Sequence, residues 1–170
     1  RKNDFQIDPL SPENILTISP GPLCGTYMPA SGKTSFVSLS PATGIYGDSS
    51  MGGSFGVELR QAGIDALIIY GKAPELSWLY IDNDKVQIIP CPELKGKTVL
   101  ETEGMIRQKT QDISLKLIAI GPAGENQVLF ACITGDWGRN AGRCGIGAVM
   151  GSKNLKAIAV RGTHDLPVAD

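Results

Sequence analysis

The sequence is poor in the residues from which protein metal sites and nucleophile–base pairs are usually built. It has one histidine, His164, close to the chain end. One histidine makes no His-rich metal site, and no Ser–His–Asp set is visible, so His164 reads as a surface residue. There are four cysteines, Cys24, Cys91, Cys132 and Cys144, none spaced as a Cys-x-x-Cys pair. That spacing excludes a local zinc or iron–sulfur motif and fits reduced, mostly buried thiols in a cytosolic protein. Neither sign of charge dominates: the net charge is −1, with 19% charged residues. Nothing points to nucleic acid or to a solvating acidic tail. No apolar run approaches the roughly eighteen residues of a membrane span, and no signal-peptide pattern is present. The chain opens on Arg1 rather than Met, so it reads as a processed chain or as a piece of a longer one.

What the sequence does hold is glycine and proline, 21 and 11 of its 170 residues. They cluster between apolar segments and so shape loops. Residues 13–22 read as a strand stopped by Pro-Gly-Pro, and residues 35–41 alternate as a half-buried strand does. The small-residue stretch that follows reads as a long loop. A helix over 56–63 ends in Gly, and 65–72 is β-rich. Residues 76–90 read as a hairpin around Asn83-Asp84. The spacing over 97–110 predicts a surface helix with Val99, Leu100, Met105 and Ile106 on one face. Residues 115–134 read as a second hairpin turning at GPAGEN, and 154–162 as a last strand. About eight strands and three helices, with strand mostly following strand, make an α+β fold of largely antiparallel sheet in a single domain.

Two nucleotide motifs fail on inspection. Gly32-Lys33-Thr34 resembles the end of a P-loop, but a strand follows Lys33 and Tyr27 stands where the first glycine belongs. The run Gly145-Ile-Gly147-Ala-Val-Met-Gly151 is one residue too long for a dinucleotide fingerprint, and no βαβ unit surrounds it. Residues 138–151, GRNAGRCGIGAVMG, offer bare backbone and two arginines, which suits an anion. A helical turn there would put Arg139 and Arg143 on one face, and GIGAVMG would start a short helix facing the loop. The alternative is a glycine-rich helix packed tightly on a sheet with solvated arginines. DSSMGGSFG (48–56), with Ser49, Ser50 and Gly52, has the same character. Asp48, Glu58 and Asp136 are possible acids that nothing in the sequence pairs.

The segments GPLCGTYMPASGKTSFVSLSPATG, SSMGGSFGVELRQAGIDALIIYGKA, IGPAGENQVLFACIT and GRNAGRCGIGAVMGSKNLKAIAV together resemble the N-terminal domain of the aldehyde ferredoxin oxidoreductase family. The resemblance covers nearly the whole chain in the family's order. It implies two β-sheets forming a base under a tungsten bis-pterin cofactor of the molybdopterin type, its metal held by cofactor sulfurs rather than by side chains. It implies a magnesium ion between the two pterin phosphates, helped by backbone carbonyls. It assigns cofactor contacts to Lys33, Ser50, Gly52, Arg139, Asn140, Gly142 and Arg143, and no catalytic residue to this chain. Lys33 stands where relatives carry arginine; it keeps the charge and loses the bidentate fork. Ser50 and Asn140 replace an asparagine and an alanine, so their contacts are expected through the main chain.

The family's [4Fe–4S] cysteines and its acid–base residues belong to later domains of the full-length enzyme. The resemblance therefore implies a cytoplasmic oxidoreductase, possible as a homo-oligomer, that oxidises aldehydes to carboxylates and passes electrons to ferredoxin or another electron-carrier subunit. The same domain in a benzoyl-CoA reductase-type subunit, or a fragment inert by itself, are the alternatives.

Overall fold

Two β-sheets face one another across a pair of helices, in a computed structural model that describes residues 7–166. The first sheet contains β1 (Leu16–Pro20), β2 (Thr34–Leu39), β3 (Tyr46–Met51) and β4 (Leu67–Ile69), all antiparallel in the order β3-β2-β1-β4. The second contains β5 (Ser77–Asp82), β6 (Lys85–Pro90), β7 (Lys116–Ala119), β8 (Ile133–Gly135), β9 (Arg139–Ala141) and β10 (Leu155–Arg161), in the order β6-β5-β10-β7-β8-β9. Its β5–β10 pair is parallel and its other pairs are antiparallel. The architecture is the α+β arrangement of two largely antiparallel sheets expected from the sequence.

The helices are α1 (Phe55–Gln61), α2 (Val99–Thr110), α3 (Pro122–Glu125) and α4 (Ile146–Ser152). Helices α1 and α4 lie between the sheets. Leu16, Ile18 and Phe36 of the first sheet meet Phe55 and Leu59 of α1, Val149 and Met150 of α4, and Ile118, Ile133 and Ile158 of the second sheet. Every residue of α4 is buried, as a helix without a polar face must be. Its glycines are there for packing: a Cβ on Gly147 would press on the Cys132 carbonyl, and one on Gly151 would overlap the Gly124 carbonyl. Helix α2 covers the outer face of the second sheet, where Ile106 packs with Trp78, Leu117 and Ala159. None of the helices among the described residues is long and apolar enough to cross a membrane.

Both lysines of SKNLK are buried clamps rather than surface charges. Lys153 Nζ donates to the carbonyls of Pro12, Asn14 and Gly71, and Lys156 Nζ to Glu125 and the Lys97 carbonyl. A buried ammonium is tolerated only when its donors are used in this way.

Three expectations need correction. Residues 46–51 form a strand, not a loop: full register against β2, from Thr34↔Met51 to Leu39↔Tyr46, overrides their low β propensity. Residues 115–134 are not a simple hairpin. β7 does pair with β8, but α3 and a further loop intervene, and 128–132 is not strand. The inward face of α2 is Thr102, Glu103 and Ile106, with Leu100 59% exposed. A capping box between Thr98 and Glu101 sets the helix start, and the 3.6-residue period then turns position 100 outward.

Candidate functional site

The two glycine-rich stretches are far apart in sequence and side by side in space. β3 is the edge of one sheet, β9 the edge of the other, and the two edges adjoin. Side chains stitch them together. Ser49 Oγ donates to the Gly142 carbonyl, Cys144 Sγ to the Asp48 carbonyl at 3.4 Å, and Ser40 Oγ to the Cys144 carbonyl at 2.8 Å. An open cavity of about 340 Å³ lies at this seam, lined by Asp48, Ser49, Ser50, Gly142 and Arg143. Edge strands leave part of their backbone N–H and C=O groups without a ladder partner, so the seam offers main-chain donors and acceptors as well as side chains.

The turn that joins β8 to β9 locks the site from the other direction. Gly138 N–H donates to the Gly135 carbonyl, and the two central residues, Asp136 and Trp137, both have positive φ, 44° and 61°. That is the signature of a type I′ turn, usually built from Asn-Gly. The reward for placing Asp there is a cap on α1. The Asp136 carboxylate accepts from Ser54 N–H at 2.5 Å, Ser54 Oγ at 2.7 Å and Phe55 N–H at 3.3 Å. A carboxylate at a helix start satisfies otherwise orphaned donors and complements the helix dipole. The turn is braced again by Arg107 of α2, whose guanidinium lies 5.1 Å from the centre of the Trp137 ring. Behind it Glu103 is fully buried, with its nearest cation, Arg107, at 4.0 Å. Burial pushes the Glu103 carboxyl above its usual range, and Arg107 opposes the shift.

The expected contact residues distribute around this seam. Ser50 sits on β3 opposite Ser35, exposed, with Gly52 two residues on. Lys33 is exposed one residue before Thr34, whose strand partner is Met51, so it flanks Gly52. Arg139 and Asn140 lie on β9 opposite Gly135 and Thr134, both exposed. Gly142 and Arg143 line the cavity. Lys33, Gly52, Arg139 and Asn140 are not among its lining residues. The Asn140 side chain is spent locally, on Thr134 and the Gly138 carbonyl, which leaves its main chain for any ligand.

Arg139 and Arg143 do not share a helical face. Arg139 is in a strand, while Arg143, Cys144 and Gly145 turn left-handed in succession, with φ of 64°, 53° and 67°. The start of α4 does not face the loop as a free anion site either. Gly147 N–H donates to the Ala131 carbonyl, and Gly145 packs against Leu129 and Pro41. The glycine-rich run thus divides in two. Gly145, Gly147 and Gly151 serve packing, whereas a Cβ on Gly142 would make one ordinary contact, with Cys132 Sγ at 3.7 Å, and a Cβ on Gly52 would meet nothing within 4 Å. Neither Gly52 nor Gly142 has a positive φ.

The cations divide similarly. Arg60, Arg107 and Arg161 each pair with a carboxylate, whereas Arg139, Arg143 and Lys33 have no ion-pair partner among the described residues. Sequence reasoning named Ser49 as a candidate donor and Asp136 as a possible acid but missed their role as supports, and it gave Cys144 no place at the site; for the clasp made by Asp136 the sequence offers only an Asp between glycines. Among the described residues, no group of three or more His, Cys, Asp or Glu side chains is arranged to hold a metal ion.

Comparison with known proteins identifies the family. Residues 1–162 match the family model described as aldehyde ferredoxin oxidoreductase, N-terminal domain. The whole chain is 48% identical to 28% of the length of a tungsten-containing aldehyde ferredoxin oxidoreductase of Pyrococcus furiosus, and equally to one of Thermococcus kodakarensis. An aliphatic sulfonate oxidoreductase, WOR-like subunit, of Pyrococcus furiosus is 43% identical over 95% of this chain and 28% of its own length. A chain of the benzoyl coenzyme A reductase BamBC active-site complex, solved with 1,5-dienoyl-CoA, superposes with a TM-score of 0.95 at 46% identity, over 97% of this chain and 25% of that one. The chain therefore spans about a quarter of the length of these relatives, and it belongs to the aldehyde ferredoxin oxidoreductase family.

Proposed function

We propose that residues 1–170 are one N-terminal domain that seats a tungsten bis-pterin cofactor in an oxidoreductase, with aldehydes as substrates. In that reaction an aldehyde and water give a carboxylate, three protons and two electrons, and the electrons leave through a [4Fe–4S] cluster to ferredoxin or another electron-carrier subunit. The cluster, the acid–base residues and the substrate pocket belong to polypeptide outside these residues. The cofactor, when bound, supplies the two-electron redox chemistry. The protein is read as cytoplasmic, with a homo-oligomer as one possible assembly.

What this chain contributes is the seat. Arg139 and Arg143 would grip pterin phosphates as charge-assisted donors, Arg with its fork and Lys33 as a point charge. Gly52 and Gly142 let the backbone come close to the ligand. The main-chain carbonyls of Ser50 and Asn140 would suit a magnesium ion, an oxygen-loving cation that binds few protein ligands beside phosphate. Asp136 touches no ligand in this scheme; it holds the turn that aims Arg139. The residues present fit the group on one observation above all. Among the described residues, the two arginines without a carboxylate partner stand at the seam where two glycines have no conformational or packing reason to be glycine.

The likeness to the benzoyl-CoA reductase chain and to the sulfonate oxidoreductase subunit supports a second reading, in which the same seat serves a different substrate. One experiment separates these. The full-length protein is produced with tungstate, its metal and pterin content measured, and its activity assayed against aldehydes, acyl-CoA thioesters and alkyl sulfonates. Tungsten near stoichiometry with aldehyde turnover is the expected result. Metal-loaded protein active only on another class selects the second reading, and protein without tungsten or pterin refutes both.

A further inference from the structure

Behind the β8–β9 turn lies a carboxyl group without hydrogen bonds. Glu103 faces inward from α2 with 1% of its side chain exposed, and neither oxygen has a hydrogen-bond partner among the described residues. The Arg107 guanidinium stands 4.0 Å away, beyond hydrogen-bond reach. Arg107 is committed elsewhere. One terminal nitrogen donates to the Leu115 carbonyl at 3.0 Å, and the guanidinium lies over the Trp137 ring. Its Nε is buried without a partner among the described residues. Two charged groups act on Glu103, Arg107 from its own helix and Asp136 from the turn. Strand β7, packed against α2, presents Leu117 and Ala119. The other ionisable groups nearby are paired or uncharged. Lys109 pairs with Glu93, Asp112 with Arg161, and Glu101 caps the helix, while burial keeps the Tyr80 phenol and the Cys91 thiol neutral.

We propose that Glu103 is a positioning residue that makes the cofactor seat proton-linked: neutral, it leaves Arg107 bracing the turn before Arg139; ionised, it draws Arg107 off Trp137 and slackens that turn. The consequence for the cofactor rests on the reading of the seam as its seat; the movement does not. Bringing the guanidinium from 4.0 Å to the roughly 2.8 Å of a charge-assisted hydrogen bond takes a shift of about 1 Å. Such a bond inside the protein outweighs a cation–π contact to a ring that is 73% exposed, so an ionised Glu103 wins Arg107 from Trp137. The new charge also repels the Asp136 carboxylate, which ties the same turn to Ser54 and Phe55. Both anchors of the turn therefore weaken together. Strand β9 is three residues long, so the aim of Arg139 depends on the turn that precedes it. Burial raises the pH at which Glu103 ionises. The grip is thus firmest on the acid side, where Glu103 is neutral, and weakens as pH rises through its titration.

The test uses the full-length protein, produced with tungstate. Amide exchange over residues 138–141 is followed from pH 5 to pH 8 and corrected for the pH dependence of unstructured amides. Tungsten loss is timed over the same range. Wild-type protection is expected to fall about two- to fivefold as pH rises, the size of one lost cation–π contact at an exposed ring. Glu103→Gln, neutral at every pH, should keep the acid-side protection throughout. Trp137→Leu, altered at an exposed position, should show the lowered protection at every pH. Tungsten loss from wild type should accelerate by a similar factor relative to Glu103→Gln. Wild-type protection that does not change with pH, or the same change in Glu103→Gln, would overturn the proton link. Identical pH profiles of tungsten loss in the two proteins would overturn its coupling to the seat. The exchange pattern in protein that binds no tungsten would uphold the link and refute the cofactor reading, so the two fail separately.

Discussion

Asp136→Ala removes the side chain that ties the β8–β9 turn to α1. The carboxylate accepts three hydrogen bonds, from Ser54 N–H, Ser54 Oγ and Phe55 N–H. The Ser54 hydroxyl can turn to water, so its loss costs little. The two backbone donors at the helix start have no other hydrogen-bond acceptor among the described residues. Helix-cap removal costs typically about 1 kcal/mol, and hydrogen bonds to a charged group about 1.5–3. A local destabilisation of about 2–3 kcal/mol follows, which by a factor of ten per 1.4 kcal/mol is roughly 30- to 100-fold. The assay is amide hydrogen exchange in the full-length protein, read over residues 54–61. Those amides are expected to exchange about 30- to 100-fold faster in Asp136→Ala, with β10 and α4 unchanged. Asp136→Asn keeps one acceptor oxygen and should lose much less. Unchanged exchange at 54–61 in the alanine variant would refute the assignment of Asp136 as the clasp between the two loops.

Other outcomes follow from the same geometry. Gly147→Ala and Gly151→Ala should destabilise by about 2 kcal/mol or more, since backbone carbonyls block the new methyl, whereas Gly52→Ala should leave the melting temperature within about 1 °C and lower cofactor content. Glu103 has its folded-state pKa raised by burial, so its ionisation costs stability as pH rises through and above the ordinary carboxylate range. Urea denaturation of Glu103→Gln from pH 4 to pH 7 should therefore show the variant gaining on wild type as pH rises, and a constant difference would contradict the assignment. Burial pushes the Cys91 thiol up to about 12 and raises that of Cys24 as well. At pH 8, alkylation followed by peptide mapping should modify Cys132 and Cys144, which are half-buried, before Cys24 and Cys91, which react only on unfolding.

The parts of the fold legible in the sequence were those where local chemistry and tertiary role agree. The Asn83-Asp84 turn, the helix after Thr98 and the alternating strand before Pro41 all carry their signals locally. The illegible parts depend on partners distant in the chain. Residues 46–51 hold Gly, Asp and two serines, and become strand through register with β2 alone. The turn at Asp136-Trp137 lacks the usual Asn-Gly and is held by Ser54, Phe55 and Arg107 from elsewhere. GPAGEN looks like a hairpin turn and is instead a one-turn helix wedged against α4, because Gly124 and Gly151 need to touch. At the candidate site the glycine and arginine content was visible, and so was the choice between anion binding and close packing. The separation of the two roles, residue by residue, required knowing what each missing Cβ would strike.

The central claim is that Arg139 and Arg143 hold a phosphorylated cofactor rather than decorate the surface. Its most direct measurement is the tungsten and pterin content, per polypeptide, of the full-length Arg139→Ala/Arg143→Ala protein against wild type. Both residues are exposed, and their side chains make no hydrogen bond or ion pair within the described residues, so the far-ultraviolet spectrum and melting of the metal-free protein should be unchanged. The account expects near-stoichiometric tungsten in wild type and a loss of tenfold or more in the double variant. Equal tungsten and pterin content in the two proteins would contradict it.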